Sequence, residues 1–216
     1  MSGLFITGTD TEVGKSVVTA ALAAGYRSLG RSPRAVKPLA SGSAPPGEDA
    51  LLISKHAGHA PTGFACLPEP ASPERAARQA GVTIDDTSLI EWCRAQSGDP
   101  LLTEGVGGWA VPLTESLTVE DLAIALAHPV IVVAANRLGM LNHTLLTVEA
   151  IREAGLTIAG VVVNNAFGEA TELKQWNIDD IRRWIGPTTT VATIDRLSDD
   201  DQFGPAGLAL IRALKL

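Results

Sequence analysis

Apolar residues along the chain fall into two alternating patterns. Short β-branched runs at Leu4–Thr7, Arg34–Pro38, Leu101–Thr103, Val130–Ala134, Ile158–Val163 and Thr189–Ile194 have the length and composition of strands. Between them, apolar residues recur every three or four positions, the spacing of one helix face: Lys15–Leu29, Asp49–His56, Thr87–Gln96, Val119–Ala127, His143–Ala154, Leu173–Ile185, and finally Pro205–Lys215. The run Pro129–Ala135 is apolar on both faces, as a central strand covered from both sides must be. Regular alternation of strand and helix predicts an α/β fold: a doubly wound, mostly parallel sheet in a three-layer α/β/α sandwich, with ligands at the carboxyl ends of the strands. Gly58–Pro73 is the least regular stretch and holds four of the 13 prolines. No second core of useful size precedes it, so it reads as an ordered excursion near the site, and residues 1–216 read as one domain.

Composition narrows the function classes. A chain of 216 residues, 45% hydrophobic and 19% charged, can bury a core without a disulfide or metal staple. Net charge is −7 and no Lys/Arg run exceeds two residues, so the clustered basic groups that neutralise nucleic-acid phosphates are missing. Cys66 and Cys93 are too few for a disulfide framework or a four-thiolate zinc site and read as reduced thiols. The N-terminus enters the first strand without a basic leader, and no segment reaches the ~18 apolar residues of a membrane span. The expectation is a cytoplasmic protein with neither nucleic-acid nor membrane partners.

The chemistry begins at Gly8–Ser16, GTDTEVGKS, a full match to G-x-x-x-x-G-K-[ST] between a predicted strand and a predicted helix. Gly8 and Gly14 allow the backbone to close around phosphate oxygens, and the helix start adds the positive end of its dipole. Lys15 can reach β- and γ-phosphates, and the Ser16 hydroxyl can ligate Mg²⁺. ATP is therefore the expected co-substrate and Mg²⁺ the expected cofactor. Glu104 ends an apolar run, where a second acidic magnesium ligand belongs, and Gly105, Gly107 and Gly108 leave room for backbone beside phosphate. Asp49 reads equally as a helix-start residue or as a metal ligand. Lys37, at the end of the second strand, reads as a charge clamp on a transferring phosphoryl group.

Four segments together resemble the dethiobiotin synthetases: GTDTEVGKS at Gly8–Ser16, KPLASG at Lys37–Gly42, EGVGGW at Glu104–Trp109 and NRLGMLNHTLLT at Asn136–Thr147. The resemblance implies a P-loop NTPase-type fold and a ligase of biotin synthesis that converts 7,8-diaminononanoate, CO₂ and ATP into dethiobiotin, ADP and phosphate through a carbamate and a carbamic-phosphoric anhydride. By its pattern Thr11 and Lys37 hold the carbamate, with Lys15 completing the catalytic set, and Ser41 meets the diamine. ATP falls to Glu12, Val13, Gly14, Lys15, Ser16, Val17, Asp49, Glu104, Gly105, Val106 and Gly107. Asn164, Asn165 and the loop Asp195-Arg196-Leu197 are implied at the base, although the family commonly shows Ile-Pro where this chain has Ile194-Asp195. Ser16, Asp49 and Glu104 are the implied Mg²⁺ ligands. Leu138, Gly139, Met140 and Asn142 are implied to receive the substrate carboxylate from the other subunit of a homodimer, with Gly139 leading into a helix at His143 and Asn142 also suited to cap it.

Two other readings share the fold. An amidotransferase-type synthetase would carry a glutaminase domain, for which 216 residues leave no room. A nucleotide-switch ATPase often places a second lysine just after the first P-loop glycine, where this chain has Thr9, and its C-terminal Leu208–Leu216 has only Arg212 and Lys215 for anionic lipid.

Overall fold

The structure, a computed structural model, describes residues 3–216. In chain order the elements are β1 (Gly3–Gly8), α1 (Lys15–Ser28), β2 (Arg34–Val36), β3 (Leu39–Ser41), α2 (Glu48–Ala57), β4 (Ala65–Leu67), α3 (Pro73–Ala80), α4 (Asp86–Arg94), β5 (Leu101–Gly108), α5 (Val119–Leu126), β6 (Val130–Ala135), α6 (Met140–Glu153), β7 (Ile158–Asn164), α7 (Thr171–Ile185), β8 (Val191–Ile194) and α8 (Phe203–Leu214). Six strands form one sheet in the order β2-β5-β1-β6-β7-β8, and each adjacent pair is parallel.

Period-two alternation along the central strands divides the core in two. Leu4, Ile6, Ile131, Val133, Ala135 and Val162 face α1, α2 and α8, where Leu22, Ile53 and Leu210 meet them. Phe5, Val130, Val132, Ala134, Val161 and Val163 face the other layer, built on Leu89, Leu122, Ile151 and Ile181 of α4 to α7. Strands apolar on both faces thus produce the three-layer sandwich that their sequence predicts.

Six elements depart from the sequence-based expectation. The second strand stops at Val36, because Pro38 has no N–H for a ladder. The chain then forms β3, which pairs in parallel with β4 in a separate two-stranded sheet; Phe64 and Ala65 donate to the Pro38 carbonyl at 2.7 and 3.0 Å. The irregular Gly58–Pro73 stretch is therefore an excursion that contains a strand. Helix α3 lies outside the helices that apolar spacing predicts, although Ser72 capping the Arg75 N–H and Pro73 in the first turn are helix-start signals. Strand β5 runs on past Thr103 to Gly108, and α6 begins at Met140 instead of His143.

Helices α1 and α8 touch at two glycines. A Cβ on Gly207 would lie 1.8 Å from the Ala21 carbonyl oxygen, and one on Gly25 would lie 2.6 Å from the Gly207 carbonyl carbon. Both neighbours are helix backbone, which cannot swing aside. Gly207→Ala should lower unfolding stability in urea by about 1–3 kcal/mol, the cost of overpacking; a loss under about 0.5 kcal/mol would mean that the helices separate freely.

Candidate active site

Strand register assembles the site. β5 lies between β2 and β1, with Val36 opposite Thr103 and Ile6 opposite Glu104. The residue after Val36 is Lys37, and two residues after Ile6 the P-loop begins. A lysine, a glutamate and a phosphate loop thus arrive side by side at the carboxyl end of the sheet.

Glu104 is fully buried. Its Oε1 accepts from the Ser16 hydroxyl at 2.7 Å and from Lys37 Nζ at 2.8 Å, while its Oε2 is buried without a partner. Lys37 Nζ, 5% exposed, also pairs with the half-exposed Asp49 carboxylate. Burial alone would depress the Lys37 pKa, but the Glu104 and Asp49 carboxylates outweigh it and hold the ammonium above its ordinary value. Burial likewise opposes ionisation of Asp49, and the Lys37 charge overrides it, keeping the carboxyl below its usual range. Ser16, Asp49 and Glu104, the three expected metal ligands, are therefore linked directly or through Lys37 Nζ, and one of the Glu104 oxygens has no hydrogen-bond partner. Among the described residues no group of three or more His, Cys, Asp or Glu could hold a metal by itself. Two carboxylates and a hydroxyl instead suit Mg²⁺, which keeps several waters and shares its remaining sites with nucleotide phosphates.

The P-loop is braced from the next strands. Gly14 has φ +99°, and a Cβ there would lie 2.2 Å from Asn164 Nδ2, so no larger residue fits. That buried amide donates to the Val13 carbonyl at 3.0 Å, and its Oδ1 accepts from the Ala166 N–H. Lys15 Nζ donates to the Asp10 carbonyl at 2.9 Å. Asp10 Oδ1 accepts from the Thr11 N–H at 2.7 Å, and Asp10 Oδ2 lies 3.6 Å from the Arg137 guanidinium. Asp10 and Arg137 escaped sequence reasoning; Asp10 stands at a freely variable position of the motif, and its pairing with Arg137 is non-local. Glu12, in the left-handed region at φ 58°, and Thr11 are exposed at the loop tip. Val13 is buried and Val17 half-buried beneath them.

The remaining expected residues spread along the same sheet end. Gly105, Val106 and Gly107 lie within β5; a Cβ on Gly105 would press on Val119 and Phe5, and one on Gly107 would be 2.8 Å from Val111. Ser41 closes β3 and its hydroxyl donates to the Ala71 carbonyl at 2.7 Å. Asn165 joins Asp195 through its Nδ2 at 2.9 Å, whereas Arg196 is exposed and Leu197 packs on the α1/α8 core. Gly139, at φ 93°, is the N-cap of α6 and Leu138 is 80% exposed. Asn142 is an exposed first-turn residue, so the expectation that it caps a helix starting at His143 is corrected. Met140, expected to meet substrate with its neighbours, is buried, and its N–H donates to the Arg137 carbonyl at 3.1 Å. It anchors the segment, leaving Leu138, Gly139 and Asn142 facing outward.

A buried lysine in a phosphate loop, beside a carboxylate, a hydroxyl and a second lysine, defines a P-loop NTPase-type enzyme. A family model described as an AAA domain matches residues 2–202. An ATP-dependent dethiobiotin synthetase BioD of Anaeromyxobacter sp. (strain Fw109-5) is 39% identical over 219 aligned residues, 97% of this chain and 98% of that one. The synthetase of the same name from Rhodococcus jostii (strain RHA1) is 43% identical over 84% of this chain and 81% of its own. The chain belongs to the ATP-dependent dethiobiotin synthetase family of ligases. A plasmid partition protein of Borrelia burgdorferi B31, solved with AMPPNP, superposes with a TM-score of 0.59 over 99% of this chain and 98% of its own. At 11% identity that likeness concerns the fold alone.

Burial drives the Lys15 ammonium down to about 8, with the Glu104 charge opposing and the Lys37 charge adding to the fall. A bound polyphosphate would raise that pKa, so binding favours the protonated form. Nucleotide affinity should therefore be flat below pH 7.5 and fall as pH rises through about 8, by at most tenfold per unit. AMPPNP titrations in EDTA from pH 6.5 to 9.5 check this; flat affinity across that range would contradict it.

Proposed function

We propose that this chain catalyses the ATP- and Mg²⁺-dependent carboxylation and ring closure of 7,8-diaminononanoate with CO₂ to dethiobiotin. The observation that carries the reading is Lys37 beside the P-loop and Glu104, in a chain of this family. One amine adds to CO₂, giving a carbamate held by Thr11 and Lys37. A carbamate oxygen attacks the γ-phosphorus and ADP leaves, forming a carbamic-phosphoric anhydride. The second amine attacks the carbamoyl carbon, phosphate departs, and the ureido ring closes.

Lys15 and the backbone of Glu12–Val17 bind the phosphates, with Asp49 and Gly105–Gly107 alongside. Ser16, Asp49 and Glu104 would hold Mg²⁺, which when bound neutralises phosphate charge and screens it from the incoming carbamate. Ser41 meets the diamine. The base lies by Asp195–Leu197, with Asn164 and Asn165 framing it. The segment of Leu138, Gly139, Met140 and Asn142 receives the substrate carboxylate in the neighbouring subunit of a homodimer, with Met140 as its buried anchor, where the helix start of α6 favours an anion. Residues 1–216 act as one synthetase domain in the cytoplasm, with no nucleic-acid or membrane partner; no helix among the described residues is long and apolar enough to cross a membrane. Such chemistry asks the protein for positioning and charge neutralisation more than for covalent help.

ADP release should be slow until diamine and CO₂ are both present, and should stop in EDTA. Equal release with and without diamine would refute the synthetase reading. A switch ATPase would ignore the diamine altogether.

Lys37→Met should lower kcat by ~10²–10³ at saturating substrates while AMPPNP affinity in Mg²⁺ changes little. Lys15 already neutralises ground-state phosphate charge, so Lys37 is placed for charge that develops during transfer. A kcat within about twofold of wild type would remove Lys37 from the chemistry. A raised nucleotide Kd with kcat preserved would make it a simple anchor.

A further inference from the structure

At the sheet end that carries the site, β6, β7 and β8 are joined by a chain of side-chain amides that the catalytic steps do not use. Asn136, just past β6, is fully buried. Its Nδ2 donates to Asn165 Oδ1 at 2.7 Å and to the Lys174 carbonyl at 3.2 Å; its Oδ1 accepts from Asn177 Nδ2 of α7 at 2.9 Å. Asn165 Nδ2 then donates to Asp195 Oδ1 at 2.9 Å. The backbone repeats the lacing, with Asn136 N–H to the Asn164 carbonyl and Asn165 N–H to the Ile194 carbonyl, both at 2.8 Å.

The direction of every link is determined. A backbone carbonyl can only accept, so Lys174 fixes which end of the Asn136 amide carries the N–H groups. Asn177 must then donate to the Asn136 oxygen, Asn165 must accept from Asn136, and the Asn165 amide is left to donate to a carboxylate. The relay runs one way, from Asn177 to Asp195.

The relay ties together the two loops to which binding of the two substrates is assigned under the proposed function. Asp195 opens the loop after β8, and Asn136 immediately precedes the segment 137–142, whose Arg137 carbonyl also lies 3.5 Å from Asn177 Nδ2. Through Asn164, whose side chain holds Val13, the same crest reaches the P-loop. We propose that Asn136 is a positioning residue that holds the nucleotide-base loop and the carboxylate-binding segment on one rigid frame. This rests on the proposed function for the roles of those two loops. A buried amide with all its bonds made is costly to misplace, because its partners have no water to turn to.

Asn136→Leu keeps the shape and removes the relay. With an unchanged circular-dichroism spectrum, it should raise the AMPPNP Kd and the diaminononanoate KM by about fivefold each, the worth of roughly one net hydrogen bond. kcat at saturation should stay within about threefold, because Lys37 follows β2, Ser16 lies in the first turn of α1 and Glu104 lies in β5, none of them a member of the relay. Both constants within twofold of wild type, or a kcat loss without them, would overturn the proposal. Should Asn136→Leu fail to fold, Asn136→Asp decides. An acceptor there faces Asn165 Oδ1, so binding of both ligands should weaken. Adding Asp195→Asn lets the Asn165 amide turn over, donating toward position 136 and accepting from position 195. Partial recovery of the AMPPNP Kd in the double variant is expected; no recovery in a folded double variant would overturn the relay. A wild type that ignores the diamine would refute the proposed function alone, since the AMPPNP arm reads the frame whatever the second substrate is.

Discussion

The site depends on one buried carboxylate. Glu104 stands within a central strand, sealed from water, and its charge is tolerated because Lys37 and Ser16 both point hydrogens at Oε1. Charges in such a place stabilise little when paired and are costly when one partner is removed, on the order of 3–5 kcal/mol. The pair is therefore better understood as a functional constraint than as a source of stability. A glutamate held this way keeps its second oxygen, Oε2, buried and without a hydrogen-bond partner, a hard donor of the type that suits the proposed Mg²⁺.

Because Lys37 and Asp49 share an ion pair, the β2 end and the start of α2 are bound to the same centre. The loop between them includes β3, whose Ser41 hydroxyl is fastened to Ala71. One electrostatic cluster thus draws together the P-loop, the second strand end and the excursion that carries Ser41. In the opposite direction order comes from neutral amides, with Asn164, Asn165 and Asn136 lacing β6, β7 and β8. Charge organises the side where phosphoryl chemistry is proposed, and amides organise the side proposed for recognition. That division makes physical sense: fixed dipoles hold loops in place without competing for the phosphate charge.

Much of this architecture was readable in local pattern. The P-loop match, the doubly apolar strand at Pro129–Ala135 and the three- and four-residue spacing of the helices involve neighbours in sequence, and each determined an element and its type. The layers followed, since strands apolar on both faces must be covered twice. Family resemblance is the source of the roles proposed for Thr11, Ser41 and the segment after β6. Tertiary structure decided what depends on register and on contacts distant in sequence. Sequence placed Glu104 and Lys37 at strand ends, but only the order β2-β5-β1 sets them 2.8 Å apart. Asn142 looked like a helix cap because the helix was counted from His143; Gly139, free to adopt a positive φ, starts it three residues sooner. Asn136 opens one of the segments that resemble the family, but no sequence pattern assigned it a role. Its meaning lies in partners 29 and 41 residues away, and hydrogen-bond complementarity across a folded crest has no trace in local spacing.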